Sequence, residues 1–262
     1  LGPLVAGLIK ESFSWSWLFG FNALGWVLSG LGFVLITKMH PQQKSTGASH
    51  FEDFKEGLGY IYRHKLLLQI CLFMMVMATF VLGPYQTVMP EFLKQTFDLG
   101  EKQRGAFMAI FGGGLLLGGI VSTALRTHAR RGLILMSGTA LVGVSLALVA
   151  VSSDYYPSMV FLFVSGCLGG VCNGLVSAIM QEESPDRVRG RVMSMYTFII
   201  IGVPALGGLL FSVLAEATSL SQSIIYAGAS ALVISILLSL TAKQLRAGAQ
   251  QQSPISLALD SK

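Results

Sequence analysis

Charge is scarce in this chain of 262 residues. Only 12% of the residues are charged, about half of the roughly 25% that is usual for soluble domains. A soluble fold of this size could not keep the 53% of its residues that are apolar away from water, so a soluble fold is excluded. Lipid is therefore the expected solvent of the chain.

Cysteine is also scarce, and Cys71, Cys167 and Cys172 all lie in apolar segments. Three cysteines cannot pair completely, and their positions give no disulfide framework. The histidines lack metal-ligand spacing, and the glycine run after Phe111 is neither a dinucleotide fingerprint nor a phosphate loop. We find no nucleophile and no acid–base pair, so we expect no enzyme activity, no cofactor, no bound metal and no nucleotide hydrolysis.

Long apolar segments are what the chain has instead. A membrane-spanning helix needs about 20 mostly apolar residues. Seven windows reach that length and predict seven spans: Trp15–Ile36, Leu66–Pro90, Arg104–Ala124, Leu133–Val151, Ser158–Met180, Val192–Ala215 and Ser223–Ala242. The apolar stretch Leu1–Ile9 is too short to span, and we expect it to be the end of a further helix.

The basic residues cluster in alternate loops. With the connector 38–65 placed on the inside, 14 of the 18 lysines and arginines fall on that side and 4 on the other. Cytoplasmic loops retain positive charge, so this bias predicts a cytoplasmic connector and a cytoplasmic C-terminus in the cell membrane. The net charge of +5 then reflects topology, and no nucleic-acid partner is expected.

The connector contains an amphipathic pattern. Phe51, Phe54, Leu58 and Ile61 recur at helical spacing in the segment FEDFKEGLGYIYRHK. This pattern predicts a helix that lies along the inner membrane surface. A plain solvated linker is the alternative.

A short repeat indicates how the helices are organised. Pro3-x-x-x-Gly7, which follows Gly2, lies 201 residues before Pro204-x-x-x-Gly208, and each copy leads through a turn into another apolar segment. Six membrane helices with their loops fill about that length. Parallel repeats of six-helix halves are one plan of transporters, so we expect the chain to begin late in a fifth helix.

Three stretches resemble the major facilitator superfamily, namely GPLVAGLI, LGPYQTVMPEF and PDRVRGRVMSMY. The first is similar to the end of its antiporter motif, and the third contains Arg189, Gly190 and Arg191. Within the superfamily, the chain most resembles the bacterial exporter group of the enterobactin exporter and the macrolide efflux proteins. The resemblance implies an all-α membrane bundle with about seven full spans and part of another, of which the last six form a complete half.

The repeat and the resemblance divide the chain into four parts. Residues 1–37 are expected to end an N-terminal bundle, and residues 38–65 to connect the two halves. Residues 66–242 are expected to form the second bundle of six helices. Residues 243–262 have no sustained pattern and are expected to form a mobile cytoplasmic tail.

The cores of the spanning segments contain no Asp, Glu, Lys, Arg or His. Intramembrane ionisable groups mark proton relays, so a titrating group for proton-coupled transport is expected in helices that precede this chain. The remaining candidates for the substrate pathway are Tyr85, Gln86, Met89, Asn173, Ser177, Tyr196 and Thr197. The family implies that the seventh, eighth, tenth and eleventh helices line this pathway, while the ninth and twelfth face lipid.

Small residues and prolines are candidates for helix packing or gating. They are Gly2, Pro3, Gly7, Gly83, Pro84, Gly114, Gly118, Gly166, Gly170, Gly174, Pro204 and Gly208. For the glycines, static packing and a sliding contact during alternating access are both open. Pro84 and Pro204 are expected to kink their helices, because proline removes an amide donor, and a role in a gate or cavity and a purely structural kink are both open. For Asn173, a bond to a neighbouring helix and a substrate contact are both open.

One inner loop crowds charges of both signs. Its candidate gate residues are Glu182, Glu183, Arg187, Arg189 and Arg191. Ion pairs among them would close the cytoplasmic side, and a topology signal with solvated pairs is the alternative. The earlier basic loop, STALRTHARRG, keeps three arginines of a superfamily pattern but contains no acid, so no charge relay is expected there.

These features together predict a secondary active transporter. The expected activity is export of amphipathic small molecules such as drugs or siderophores, by proton antiport as the resemblance implies. Lipid or lysophospholipid movement is one alternative, and a non-transporting receptor or scaffold of the same fold is another. We expect the full-length protein to be a monomer with the bilayer, a small-molecule substrate and protons as partners, and we expect no transport by this chain alone.

Overall fold

The computed structural model describes residues 15–35, 50–128, 130–152, 154–242 and 245. Within these ranges the chain is helical and contains no strand. Among the predicted packing and gating residues, those outside the described ranges are Gly2, Pro3 and Gly7. The tail that was expected to be mobile also lies outside them, apart from one residue.

Ten α-helices and one π-helical turn follow one another in the described chain. They are α1 (Trp15–Leu35), α2 (His50–Arg63), α3 (Lys65–Met77), the π-turn (Ala78–Leu82), α4 (Gly83–Thr87), α5 (Met89–Phe97), α6 (Glu101–Leu125), α7 (Arg131–Val151), α8 (Tyr155–Glu182), α9 (Asp186–Ala217) and α10 (Leu220–Thr241). Because α3, the π-turn and α4 are continuous, they act as one long segment. We call this segment the α3–α4 span.

Among the described residues, six helical segments are long and apolar enough to cross a membrane: the α3–α4 span and the helices α6 to α10. All six agree with windows predicted from the sequence to within a few residues, which confirms the all-α membrane fold. The predicted first span is also helical, as the 21 residues of α1. Its large side chains Trp17, Phe19 and Trp26 are exposed.

The six spans pack as three close pairs. α6 lies along α8, α7 lies along α10, and the α3–α4 span lies along α9. α7 also packs along α8, which joins the first pair to the second. The apolar core between them divides into two buried clusters, one around Phe73 and Ile179 and the other around Phe107 and Leu162.

The end of the bundle that carries the loops 126–131 and 182–191 is called the basic end. The short helix α2 docks there against the start of α9, and a Cβ atom on Gly57 would lie 3.1 Å from the Cβ atom of Arg191. Within the pattern that predicted this helix, Ile61 is buried and Leu58 is exposed. The side chains of the two phenylalanines of that pattern lie outside the described part of the structure.

Candidate substrate pathway and charged end

α6 and α8 cross with their backbones in contact. The glycines of this crossing are Gly114, Gly118, Gly166, Gly170 and Gly174. A Cβ atom on any of the first four would overlap a carbonyl oxygen of the facing helix. A Cβ atom on Gly174 would overlap the hydroxyl of Ser122. The residues that the four-residue spacing placed on one helix face thus lie in one helix–helix contact.

The other two helix pairs also meet at glycines. A Cβ atom on Gly83 of α4 would lie 2.6 Å from the amide nitrogen of Gly208 in α9. The single proton of the Thr87 hydroxyl lies between two carbonyl oxygens, that of Gly83 at 3.1 Å and that of Gly208 at 3.3 Å. In the pair that sequence reasoning missed, a Cβ atom on Gly143 of α7 would lie 2.6 Å from the carbonyl oxygen of Gly228 in α10.

The span that contains Pro84 forms a wider, π-helical turn shortly before the proline. In the π-turn, the amide of Gly83 donates to the carbonyl of Ala78, five residues earlier. Single π-turns inside α-helices occur frequently at functional sites. The helix continues through Gly83-Pro84 after this wider turn, and the kink expected there stays a prediction. α9 likewise runs through Pro204 as one helix, and the kink expected at this residue stays a prediction.

A cavity of about 150 Å³ lies inside the bundle, between the α3–α4 span, α6 and α8. Its lining residues are Met74, Met77, Ala78, Val81, Leu82, Phe111, Leu115, Val142, Ser165, Gly169, Asn173, Val176 and Ile200. None of these described residues is Asp, Glu, Lys, Arg or His. Burial of an unpaired charge is costly, so the cavity favours a neutral, largely apolar ligand group.

Asn173 and Tyr196 meet beside this cavity. The hydroxyl of Tyr196 in α9 donates to Oδ1 of Asn173 in α8 at 2.9 Å. This is the bond to a neighbouring helix that was one of the two expectations for Asn173. The Asn173 side chain is also exposed while it lines the cavity, so the second expectation, a substrate contact, stays a prediction.

Tyr85 and Met89 face the protein interior. The Tyr85 hydroxyl donates to the carbonyl of Met108 at 2.9 Å, and its ring lies 4.1 Å from that of Phe111, between ring centroids. Met89 is completely buried in the core cluster that contains Phe92. In this conformation Met89 therefore packs in the core and has no surface that a substrate reaches.

The other predicted pathway residues are polar and accessible. Gln86 is exposed, and Ser177 accepts a hydrogen bond from Nε2 of Gln181 at 3.0 Å. Thr197 is exposed and donates to the carbonyl of Met193 in its own helix at 3.0 Å. The structure thus brings Asn173 close to Tyr196, and it leaves Gln86 on a different helix.

At the basic end, Arg131 lies between two carboxylates. Its guanidinium forms an ion pair with Glu182 and lies 3.9 Å from Oε1 of Glu183. Arg126 reaches the other Glu182 oxygen at 3.3 Å. The Arg131 side chain is only 12% exposed, so water screens this pair less than it screens an ordinary surface pair. The loop itself contains no acid, as the sequence showed, and its partners come from the loop that follows α8.

The predicted gate arginines divide between two partners. Arg189 pairs with Asp186 in its own helix at 2.6 Å. Arg191 and Arg187 instead reach the carboxylate of Glu56 in α2, at 2.5 and 3.8 Å. Arg187 and Arg191 therefore hold the docked helix α2, while Glu182 and Glu183 pair with arginines from the neighbouring loop.

The protonation of Glu183 is shifted by its surroundings. Burial raises the pKa of its carboxyl group, and Glu182 raises it further, while His64 and Arg131 oppose this rise. Burial, and after it the charge of Glu183, also raises the pKa of the Tyr60 hydroxyl. Glu183 therefore keeps its proton to a higher pH than an ordinary glutamate does.

The described residues hold no metal-binding cluster of three or more His, Cys, Asp or Glu side chains. Cys71, Cys167 and Cys172 are free thiols. Cys172 is buried, and its sulfur lies 4.0 Å from the hydroxyl oxygen of Thr139.

The family model of the Major Facilitator Superfamily matches residues 1–208. The chain belongs to this superfamily. Macrolide efflux protein A of Streptococcus pyogenes is 20% identical over 90% of this chain and 59% of its own length. Enterobactin exporter EntS of Shigella flexneri is 23% identical over 94% of this chain and 58% of its own length. The chain spans about three fifths of the length of these superfamily members, and like them it is a multi-pass membrane protein.

Proposed function

We propose that the complete gene product is a secondary active exporter of amphipathic small molecules, such as drugs or siderophores. The cavity between the α3–α4 span, α6 and α8 carries this proposal. Its walls are apolar apart from Ser165 and Asn173, and none of its described lining residues is charged. Sugars and ions need many polar partners when they leave water, whereas amphipathic molecules need few. The exporter names of the relatives support the same direction of transport.

We also propose an orientation and a division into parts. The basic end faces the cytoplasm, because cytoplasmic loops retain positive charge. Residues 1–37 then belong to the first bundle, 38–65 connect the bundles, 66–242 form the second bundle, and 243–262 form a cytoplasmic tail. The ion pairs of Arg131, Arg187 and Arg191 would close the cytoplasmic side in one conformation of the transport cycle.

Proton antiport is the proposed coupling. The spans of the second bundle carry no Asp, Glu, Lys, Arg or His in their central parts. Intramembrane acids are the usual proton carriers, so we propose that the coupling acid lies in helices that the relatives have and this sequence does not cover.

Efflux from cells tests the proposal. The complete gene product is expressed in bacteria that lack their own drug pumps, and accumulation of a fluorescent amphipathic dye is followed with and without a protonophore. We expect lower accumulation that rises again when the proton gradient collapses. Unchanged accumulation, at a membrane level of protein verified by an epitope tag, would contradict export. Flip of labelled lysophospholipid in proteoliposomes without dye transport would favour the lipid alternative.

A further inference from the structure

One polar atom of the cavity has no partner. Ser165 of α8 lines the cavity, and its side chain is completely buried. Its Oγ atom has no hydrogen-bond partner among the described residues. Buried hydroxyl groups are nearly always hydrogen-bonded, so an exception of this kind requires an explanation.

The neighbouring helix explains why Ser165 lacks its usual partner. Serines inside helices commonly donate to the carbonyl four residues earlier, as Ser194 does to Gly190. For Ser165 this carbonyl belongs to Phe161, which already accepts the hydroxyl of Ser145 in α7 at 2.6 Å. It also accepts the amide of the helix ladder, so both of its lone pairs are used. Among the described residues, the Ser165 hydroxyl is therefore left free to bond a ligand in the cavity.

The size and walls of the cavity fit one aromatic ring. A dry protein cavity of about 150 Å³ binds benzene, and this cavity has the same volume of about 150 Å³. Phe111 supplies an aromatic ring to the wall, and Met74 and Met77 supply thioethers. Aromatic edges and thioether sulfurs both make favourable contacts with a bound ring. Because the described lining carries no charge, the ring has to be neutral.

We propose that the cavity is a subsite for a neutral phenol group, with the Ser165 hydroxyl as the hydrogen-bond partner of the phenol oxygen. Ser165, Gly169 and Asn173 follow one another at four-residue intervals, so they share one face of α8. Because Gly169 has no side chain, the space between Ser165 and Asn173 stays open. The inference rests on the proposed export function, because the ring would be part of the exported molecule.

Fluorine NMR tests the subsite by direct binding. The complete gene product is placed in lipid nanodiscs and titrated with 4-fluorophenol or 4-fluorotoluene, and empty nanodiscs provide the blank. We expect Ser165→Ala to lower the affinity for 4-fluorophenol about fivefold and to leave that for 4-fluorotoluene within about twofold, because only the phenol loses a hydrogen bond. Ser235→Ala is the matched control. Ser235 is also buried without a partner among the described residues, but it belongs to α10 and does not line the cavity.

Gly169→Ala tests the cavity without removing the hydroxyl. The added methyl group would lie 3.5 Å from Cδ2 of Leu115 and 3.8 Å from Cε of Met77, which are ordinary contacts, so the fold is retained. The narrower cavity is expected to weaken both probes. Equal shifts of both probes in Ser165→Ala, no shift of either, or unchanged titrations in Gly169→Ala would overturn the subsite. If Ser165→Ala does not fold, the Gly169→Ala titration alone decides.

Together with the binding titrations, the efflux assay distinguishes a failure of the subsite proposal from a failure of the export proposal. Dye efflux without saturable binding of either probe would refute the subsite and leave export standing. Probe binding with the expected Ser165 dependence, in a protein that exports nothing, would refute the exporter and leave the phenol subsite standing.

Discussion

The membrane interior and the basic end of this bundle are held together by different contacts. In the interior, α6 and α8 meet backbone to backbone at Gly114 and Gly118, with no side chain between them. At the basic end, the loop that follows α6 is joined to the end of α8 by long charged side chains, with Arg131 between Glu182 and Glu183. Glycine contacts fix the distance between two helices, whereas ion pairs of flexible side chains form and break at low cost. From this difference we expect a rigid interior and an adjustable end, and a sliding contact at the glycines during alternating access stays the alternative.

Gly118→Val is expected to destabilise the bundle most, because it acts on the backbone contact between α6 and α8. The new Cβ atom would overlap the Cys167 carbonyl, and a backbone atom cannot turn aside as a side chain can. We expect a loss of about 3 kcal/mol in the free energy of unfolding, at the upper end of the range for overpacked cores. The measurement is the thermal unfolding midpoint and the yield of monodisperse protein in detergent. Gly113→Val is the control on the same helix, since a Cβ atom at Gly113 meets no atom within 4 Å, and equal behaviour of the two variants would contradict the backbone contact.

Arg131→Gln would remove the cation between Glu182 and Glu183 at the basic end. It leaves two glutamates without their main cation, one of them partly buried. We expect a loss of about 1–3 kcal/mol, between the values for exposed and buried ion pairs. Thermal unfolding at low and at high salt measures it, with Arg130→Gln as control, because Arg130 is exposed and has no ion pair within the described ranges. A loss that is the same in both variants would show that the cluster adds no stability.

Tyr196→Phe sharpens the comparison at the boundary between the two regions. The substitution removes the hydrogen bond to Asn173 and keeps the ring. Interhelical hydrogen bonds in membranes average about 0.6 kcal/mol, so we expect a small loss of that order. Tyr226→Phe is the control, since Tyr226 is 48% exposed and has no hydrogen-bond partner in the described part of the chain. If Tyr196→Phe left stability unchanged but altered dye efflux, the substrate interpretation of Asn173 would gain at the expense of the structural one.

The sequence was sufficient to predict the spans, because about 20 apolar residues in a row have few alternatives to a membrane helix. The bounds of α7, Arg131–Val151, differ from the predicted window by two residues at one end only. Spacing of four also predicted which residues of α6 and α8 would share a face. Those features depend only on neighbours in the chain.

The missed features depend on neighbours across helices. The contact between α7 and α10 had a readable signal, since Gly143-x-x-x-Ala147 is a pair of small residues at the same spacing of four. The pairing of Arg131 with Glu182 had none, because the two residues are 51 positions apart and only the packing of α6, α7 and α8 brings their loops together. Ser165 gave no signal in the sequence either. Its hydroxyl lacks a partner among the described residues because Ser145 of α7 donates to the Phe161 carbonyl of α8.

The backbone contacts of the three glycine-mediated helix pairs set the spacing of the helices, and other atoms, mostly side chains, line the cavity. Met74, Met77 and Leu115 line the cavity and take no part in the backbone contacts through their side chains. Evolution can therefore exchange such residues for others of similar bulk while the spacing of the helices stays the same. In a bundle built in this way, single substitutions can reshape the cavity while the contacts that hold the helices together stay unchanged.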